Sequence, residues 1–73
     1  MDSKKQPIYT SHARDQMTDR GITEEEIEFC PNEPEITRPG ERDTLILTAH
    51  PKGRFIKIVV PRKKPRLIIT AAD

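Results

Sequence analysis

The spacing of apolar residues changes character partway along this chain. It is helical at first, and after Pro34 it becomes extended. Thr10 or Ser11 can cap a helix running from about His12 to Arg20 by accepting hydrogen bonds from its free N–H groups. Ala13 and Met17 stand four apart and form a stripe that should face a core. Gly21 fits the left-handed residue that ends a helix, and Ile22 fits the apolar residue that folds back onto the last turn. Thr23 starts a second helix. Glu26 stands three residues later, which is a capping box. Glu24, Glu25 and Glu26 also suit the positive end of a helix dipole. Pro31 and Pro34 predict that this helix stops near Cys30.

The second half reads as strands: a short one around Glu35–Arg38, then Thr44–Thr48, Arg54–Val60 and Arg66–Ala71. Pro39–Gly40, His50–Gly53 and Pro61–Pro65 supply the turns and loop between them. Such short links make neighbouring strands antiparallel. Alternation assigns the faces. Leu45, Leu47, Ile56, Ile58 and Val60 share one with Leu67, Ile69 and Ala71, and this apolar face should receive the helices. Ile46, Thr48, Phe55, Lys57, Val59, Ile68 and Thr70 share the other, a mixed face suited to a partner or a site. The expected fold is a two-layer α+β domain, an N-terminal helical hairpin packed on a three- to four-stranded antiparallel sheet. Residues 1–8 read as a flexible tail and residues 9–73 as a single domain.

Charge changes this picture. The net charge is only +1. Yet eight acids lie between Glu24 and Asp43, opposed only by Arg38 and Arg42, whereas seven bases and no acid lie between Lys52 and Arg66. The basic run could attract an anion such as nucleic acid. A domain of 73 residues buries about 60% of its unfolded surface, so homodimerisation is an easy route to more stability. Cys30 is the single cysteine, which excludes an intramolecular disulfide and fits a reducing cytoplasm. It reads as a small buried hydrophobe near a helix end. His12, His50 and Cys30 have no ligand spacing, so neither a metal nor a cofactor is expected. No secretory leader or membrane span is legible.

The run HARDQMTDRGITEEEIE, followed by PEI, GRFIKIVV and LIITA, resembles a family of small bacterial domains of unknown function, the one numbered 4258. The resemblance covers about Tyr9 to Ala71. Its most specific part is the helical hairpin: His12 followed by Ala13, then Met17, Arg20, Gly21–Ile22 and the capping box. That family is similar in turn to small RNase toxins of the RelE-like and BrnT-like kind. The resemblance implies helices followed by an antiparallel sheet, basic and polar residues that cleave RNA without a metal, and an antitoxin-like protein as partner. Two positions depart from the family pattern. Gln16 stands where an arginine is usual, and Ala72 where a large residue is usual.

Metal-free RNA cleavage needs a base, an acid and a cation for the phosphorane charge. His12 can serve as base or acid. Arg20 can clamp a phosphate, Lys57 lies mid-strand on the mixed face, and Thr70 can bind a phosphate or orient His12. Lys52, Arg54, Arg62, Lys63, Lys64 and Arg66 are the candidate nucleic-acid contacts. Each has a plainer reading. A histidine beside a core stripe often only packs, a cation near a helix C-terminus is favoured by the dipole, and loop lysines often only solvate. His50 sits in a turn and reads as exposed and idle. With only Tyr9, Phe29 and Phe55 as aromatics, base stacking is poor. The leading expectation is a toxin-like RNA-binding domain with metal-independent RNase activity. The alternative is a non-catalytic interaction module or a homodimer formed through the mixed face.

Overall fold

The computed structural model describes residues 7–73. The elements are β1 (Ile8–Tyr9), α1 (Ser11–Arg20), α2 (Glu24–Asn32), β2 (Ile36–Pro39), β3 (Thr44–Ala49), a short 3-10 turn at Pro51–Gly53, β4 (Ile56–Pro61), β5 (Leu67–Ile68) and β6 (Thr70–Ala72). Strands β2, β3, β4 and β6 lie in that order in one antiparallel sheet. Ala13 and Met17 of α1 and Ile27 and Cys30 of α2 share one core with Leu47, Ile56, Ile58, Val60 and Ala71 of the sheet. The fold is the expected two-layer α+β domain. No helix among the described residues is long and apolar enough to cross a membrane.

The helical hairpin forms as its local chemistry dictates. Thr10 Oγ accepts from Ala13 N at 3.1 Å and starts α1. Gly21 takes the left-handed conformation (φ 66°), and Ile22 N donates back to Met17 O at 2.9 Å. Thr23 and Glu26 exchange both bonds of the capping box, at 3.2 and 2.9 Å. Helix α2 runs to Asn32, two residues beyond the expected stop. Pro31 sits in the last turn, where it removes only one intrahelical donor, and Asn32 Nδ2 donates to Glu28 O at 2.8 Å.

The sheet corrects the reading in two places. The turn expected at Pro39–Gly40 lies three residues later, because Arg42 (φ 54°) and Asp43 (φ 61°) both adopt left-handed backbone and close the hairpin there. Gly40 is needed for a different reason: a Cβ there would strike the Thr44 hydroxyl. The last strand is not one regular strand. Ile8 N donates to Arg66 O, Thr10 N to Ile68 O, and Ile69 N to Val59 O. These bonds split it into β5, which pairs in parallel with β1, and β6, which pairs with β4. The kink at Ile69 breaks the alternation, so Ile68 and Ala71 are fully buried together instead of facing opposite ways. Of the tail expected over residues 1–8, residues 1–6 lie outside the described residues, and Ile8 pairs with Leu67.

Candidate functional site

Helix α1 runs alongside β6 in matched steps. Gln16 Oε1 accepts from Ala71 N at 3.0 Å, and Arg20 Nη1 lies 3.2 Å from Asp73 Oδ1. Four helical residues rise about 6 Å and two strand residues about 6.6 Å, so one turn of helix spans two residues of strand. His12 lies in the first turn of α1, two residues after Thr10, whose Oγ donates to the Ile69 carbonyl at 3.0 Å. His12 is exposed, with no hydrogen-bond partner among the described residues. Arg20 is eight residues away, about 12 Å along the helix. The structure therefore does not bring Arg20 and His12 to one phosphate, and Arg20 is engaged by Asp73.

The basic run divides the same way. Lys52 Nζ is 2.9 Å from Glu25 Oε1, and that carboxylate raises the lysine's pKa. Arg54 is the most committed cation. Its guanidinium donates to Arg20 O at 2.6 Å and Gly21 O at 2.9 Å, and pairs with Asp73 at 2.7 Å and Glu26 at 3.4 Å. It ties the free carbonyls ending α1 to the start of α2 and to Asp73. Arg62 pairs with Asp43 at 3.2 Å. Lys63, Lys64 and Arg66 of the β4–β5 loop have no carboxylate partner among the described residues.

Lys57 and Thr70 do share a surface, the sheet face turned away from the helices. Lys57 is flanked by Thr48 and Ala72, and Thr70 stands opposite Val59, so the two are diagonal neighbours. Ile46 lies between Arg38 and Val59 in the same row. Ile36 and Phe55 on this face are 48% and 43% exposed, so its apolar strip is open. Arg38, Arg42 and Lys57 make no ion pair among the described residues. Phe55 is the aromatic available to a ligand here. Tyr9 lies under the Arg14 guanidinium, 4.7 Å from its ring centre, and Phe29 is on the acidic helix α2.

His50 is not idle. Its Nδ1 lies 2.8 Å from Glu35 Oε1, and its ring meets the edge of Phe55 at a centroid distance of 5.3 Å. Glu35 and His50 stand fifteen residues apart with no motif between them. Strand parity was the available signal, since His50 lies two residues past Thr48 and Phe55 two before Lys57. Cys30 is fully buried, and burial pushes its thiol up to about 11. Burial, followed by Glu24 and Glu28, pushes Tyr9 to about 12. No three His, Cys, Asp or Glu side chains among the described residues group as a metal site would need.

A two-layer α+β domain with a covered apolar face and an open, basic sheet face is the class that fold and surface define. The chain belongs to the DUF4258 family, described as a domain of unknown function, whose family model matches residues 9–73. Neither a curated protein nor a solved structure matches it.

Proposed function

We propose that this chain is a toxin-like RNA-binding domain that cleaves RNA without a metal. One observation carries the reading. Among the described residues six cations lack a carboxylate partner: Arg38, Arg42, Lys57, Lys63, Lys64 and Arg66. All lie on the open sheet face, its hairpin turn or the adjoining β4–β5 loop. The helix layer has the opposite character, with Asp15, Asp19 and Glu28 unpaired. Cations left unpaired on one side focus a positive field there, and a phosphate chain is the polymer that answers it. Ile36, Ile46, Val59 and Phe55 between them offer apolar contact to exposed bases of a single strand. Lys57 and Thr70 supply a cation and a hydroxyl to a phosphate on the same face, and His12 stands in the first turn of α1, the helix packed along β6.

Two assays test this. Anisotropy of a labelled single-stranded RNA should show binding that weakens steeply with salt and falls in an Arg38→Glu, Lys57→Glu double variant. Mixed RNA in excess EDTA should be cut by the parent protein, and His12→Ala tests whether that histidine takes part. Absence of binding at low salt by the folded protein overturns the reading. A second reading, a homodimer or interaction module, draws on the open Ile36–Ile46–Val59 strip. It requires a mass that rises with concentration and no effect of RNA.

A further inference from the structure

We propose that His50 is the acid–base residue of the open sheet face, with Glu35 as its positioning residue and Lys57 as the cation beside it. The proposal rests on the RNA-cleaving reading above and moves the proton-transfer role away from His12. A carboxylate can only accept, so the 2.8 Å contact puts the hydrogen on His50 Nδ1, and in the neutral imidazole this leaves the Nε2 lone pair free. Phe55 meets the ring from a second side at an interplanar angle of 60°. The imidazole is thus held by a carboxylate and an aromatic edge before any substrate arrives, which is the arrangement a general base requires. The side chain is 48% exposed, and Nε2 has no hydrogen-bond partner among the described residues. His12, in contrast, has nothing among the described residues to set its tautomer.

The neighbours fit the role. Thr48 pairs with Lys57 across β3 and β4, and continuing that parity brings His50 opposite Phe55. Lys57 is therefore one same-face step from the His50–Phe55 pair, about 6.6 Å along the strand. Two long side chains at that spacing can bracket one phosphodiester. In the step, His50 Nε2 takes the proton of an RNA 2′-hydroxyl. The 2′-oxygen bonds to the adjacent phosphorus, and the bond from phosphorus to the 5′-oxygen breaks. Lys57 Nζ gives a proton to that leaving oxygen. The products are a 2′,3′-cyclic phosphate and a 5′-hydroxyl, and water returns the two residues to their starting protonation.

The test separates binding from cleavage. Binding is read by anisotropy on an all-deoxy oligonucleotide, which has no 2′-hydroxyl. Cleavage is read on the matching ribo-oligonucleotide in excess EDTA. Glu35 and His50 are both about half exposed, so their variants should fold, and circular dichroism checks this. His50→Ala should bind the deoxy strand within about twofold of the parent and cut the ribo strand roughly 100-fold more slowly. Glu35→Gln should lower kcat about tenfold at unchanged KM, and Glu35→Asp should restore part of it. Cleavage by His50→Ala at the parent's rate, or loss confined to His12→Ala, overturns the assignment. Binding without cleavage by the parent overturns it too, while leaving RNA binding standing. No binding of the deoxy strand together with no cleavage of the ribo strand overturns both.

Discussion

Gln16 Oε1 accepts a hydrogen bond from Ala71 N at 3.0 Å, and this bond fastens helix α1 to β6 at the end of the sheet's strand order. An edge strand leaves backbone donors unpaired, and here a side-chain carbonyl from the helix satisfies one. It also gives Gln16 a role that an arginine could not fill, because a guanidinium only donates. Gln16→Leu should therefore cost about 1–3 kcal/mol, the penalty for stranding a partly buried N–H. Gln16→Glu keeps an acceptor and should cost less. Urea unfolding of the two variants beside the parent decides it, and equal losses would mean the bond contributes nothing.

Arg54 should matter to folding before it matters to RNA. Replacing it removes donors to Arg20 O and Gly21 O as well as its pairing with Asp73. Arg54→Ala should lower Tm clearly, whereas Lys63→Ala should leave it near the parent value. The Asp73 carboxyl is held below its usual pKa, first by the Arg54 hydrogen bond and then by Arg20. A carboxyl depressed in the folded state stabilises above its unfolded pKa and loses that contribution as pH falls through the folded value. The Tm gap between parent and Asp73→Asn should therefore be present at neutral pH and close on acidification below the usual carboxylate range. A gap that stays constant to pH 2 would show that Asp73 acts through something other than its charge.

Thr23 tests the second helix start. Its hydroxyl and the Glu26 carboxylate satisfy each other's backbone donors. Thr23→Ala should cost about 1 kcal/mol, and Thr23→Asp should retain most of it. Chemical denaturation monitored by far-ultraviolet circular dichroism reads this directly. An unchanged midpoint for Thr23→Ala would mean packing of Ile27 and Cys30 alone sets the helix start.

Cys30 should report global opening. Its thiol is fully buried and raised to about 11, so at pH 8 it carries very little thiolate. Reaction with a thiol reagent should follow the unfolding equilibrium and speed up in Gln16→Leu in proportion to the stability lost. Rapid labelling of the native parent would show that α2 opens on its own.

For the open face, each cation that meets a phosphate should add about 0.7 to the salt slope for single-stranded RNA. Lys57→Ala and Arg38→Ala should each reduce the slope by about that amount, and Lys52→Ala should not, since Glu25 already holds Lys52. A uniform effect of all three would point to diffuse charge rather than a bound strand.

The sequence alone determined whatever rests on near neighbours in the chain. Thr10, Gly21, Thr23 and Glu26 act within a few residues of themselves, so the helical hairpin was legible to its caps. Strict alternation in Leu45–Leu47 and Ile56–Val60 made the core face of β3 and β4 legible too. Tertiary structure alone decided the rest. The split of the last strand at Ile69 comes from Thr10, 59 residues away, bonding its carbonyl. The sorting of cations into engaged and unpaired depends on which acids the fold brings near. Arg54 met Asp73 and Glu26, and Arg62 met Asp43, while Arg38, Arg42, Lys57, Lys63, Lys64 and Arg66 met none among the described residues. Glu35 and His50 became a pair only because β2 and β3 lie side by side. Caps and alternation are local geometry, but ion pairs and acid–base pairs are matters of distance, and distance is fixed only when the chain has closed on itself.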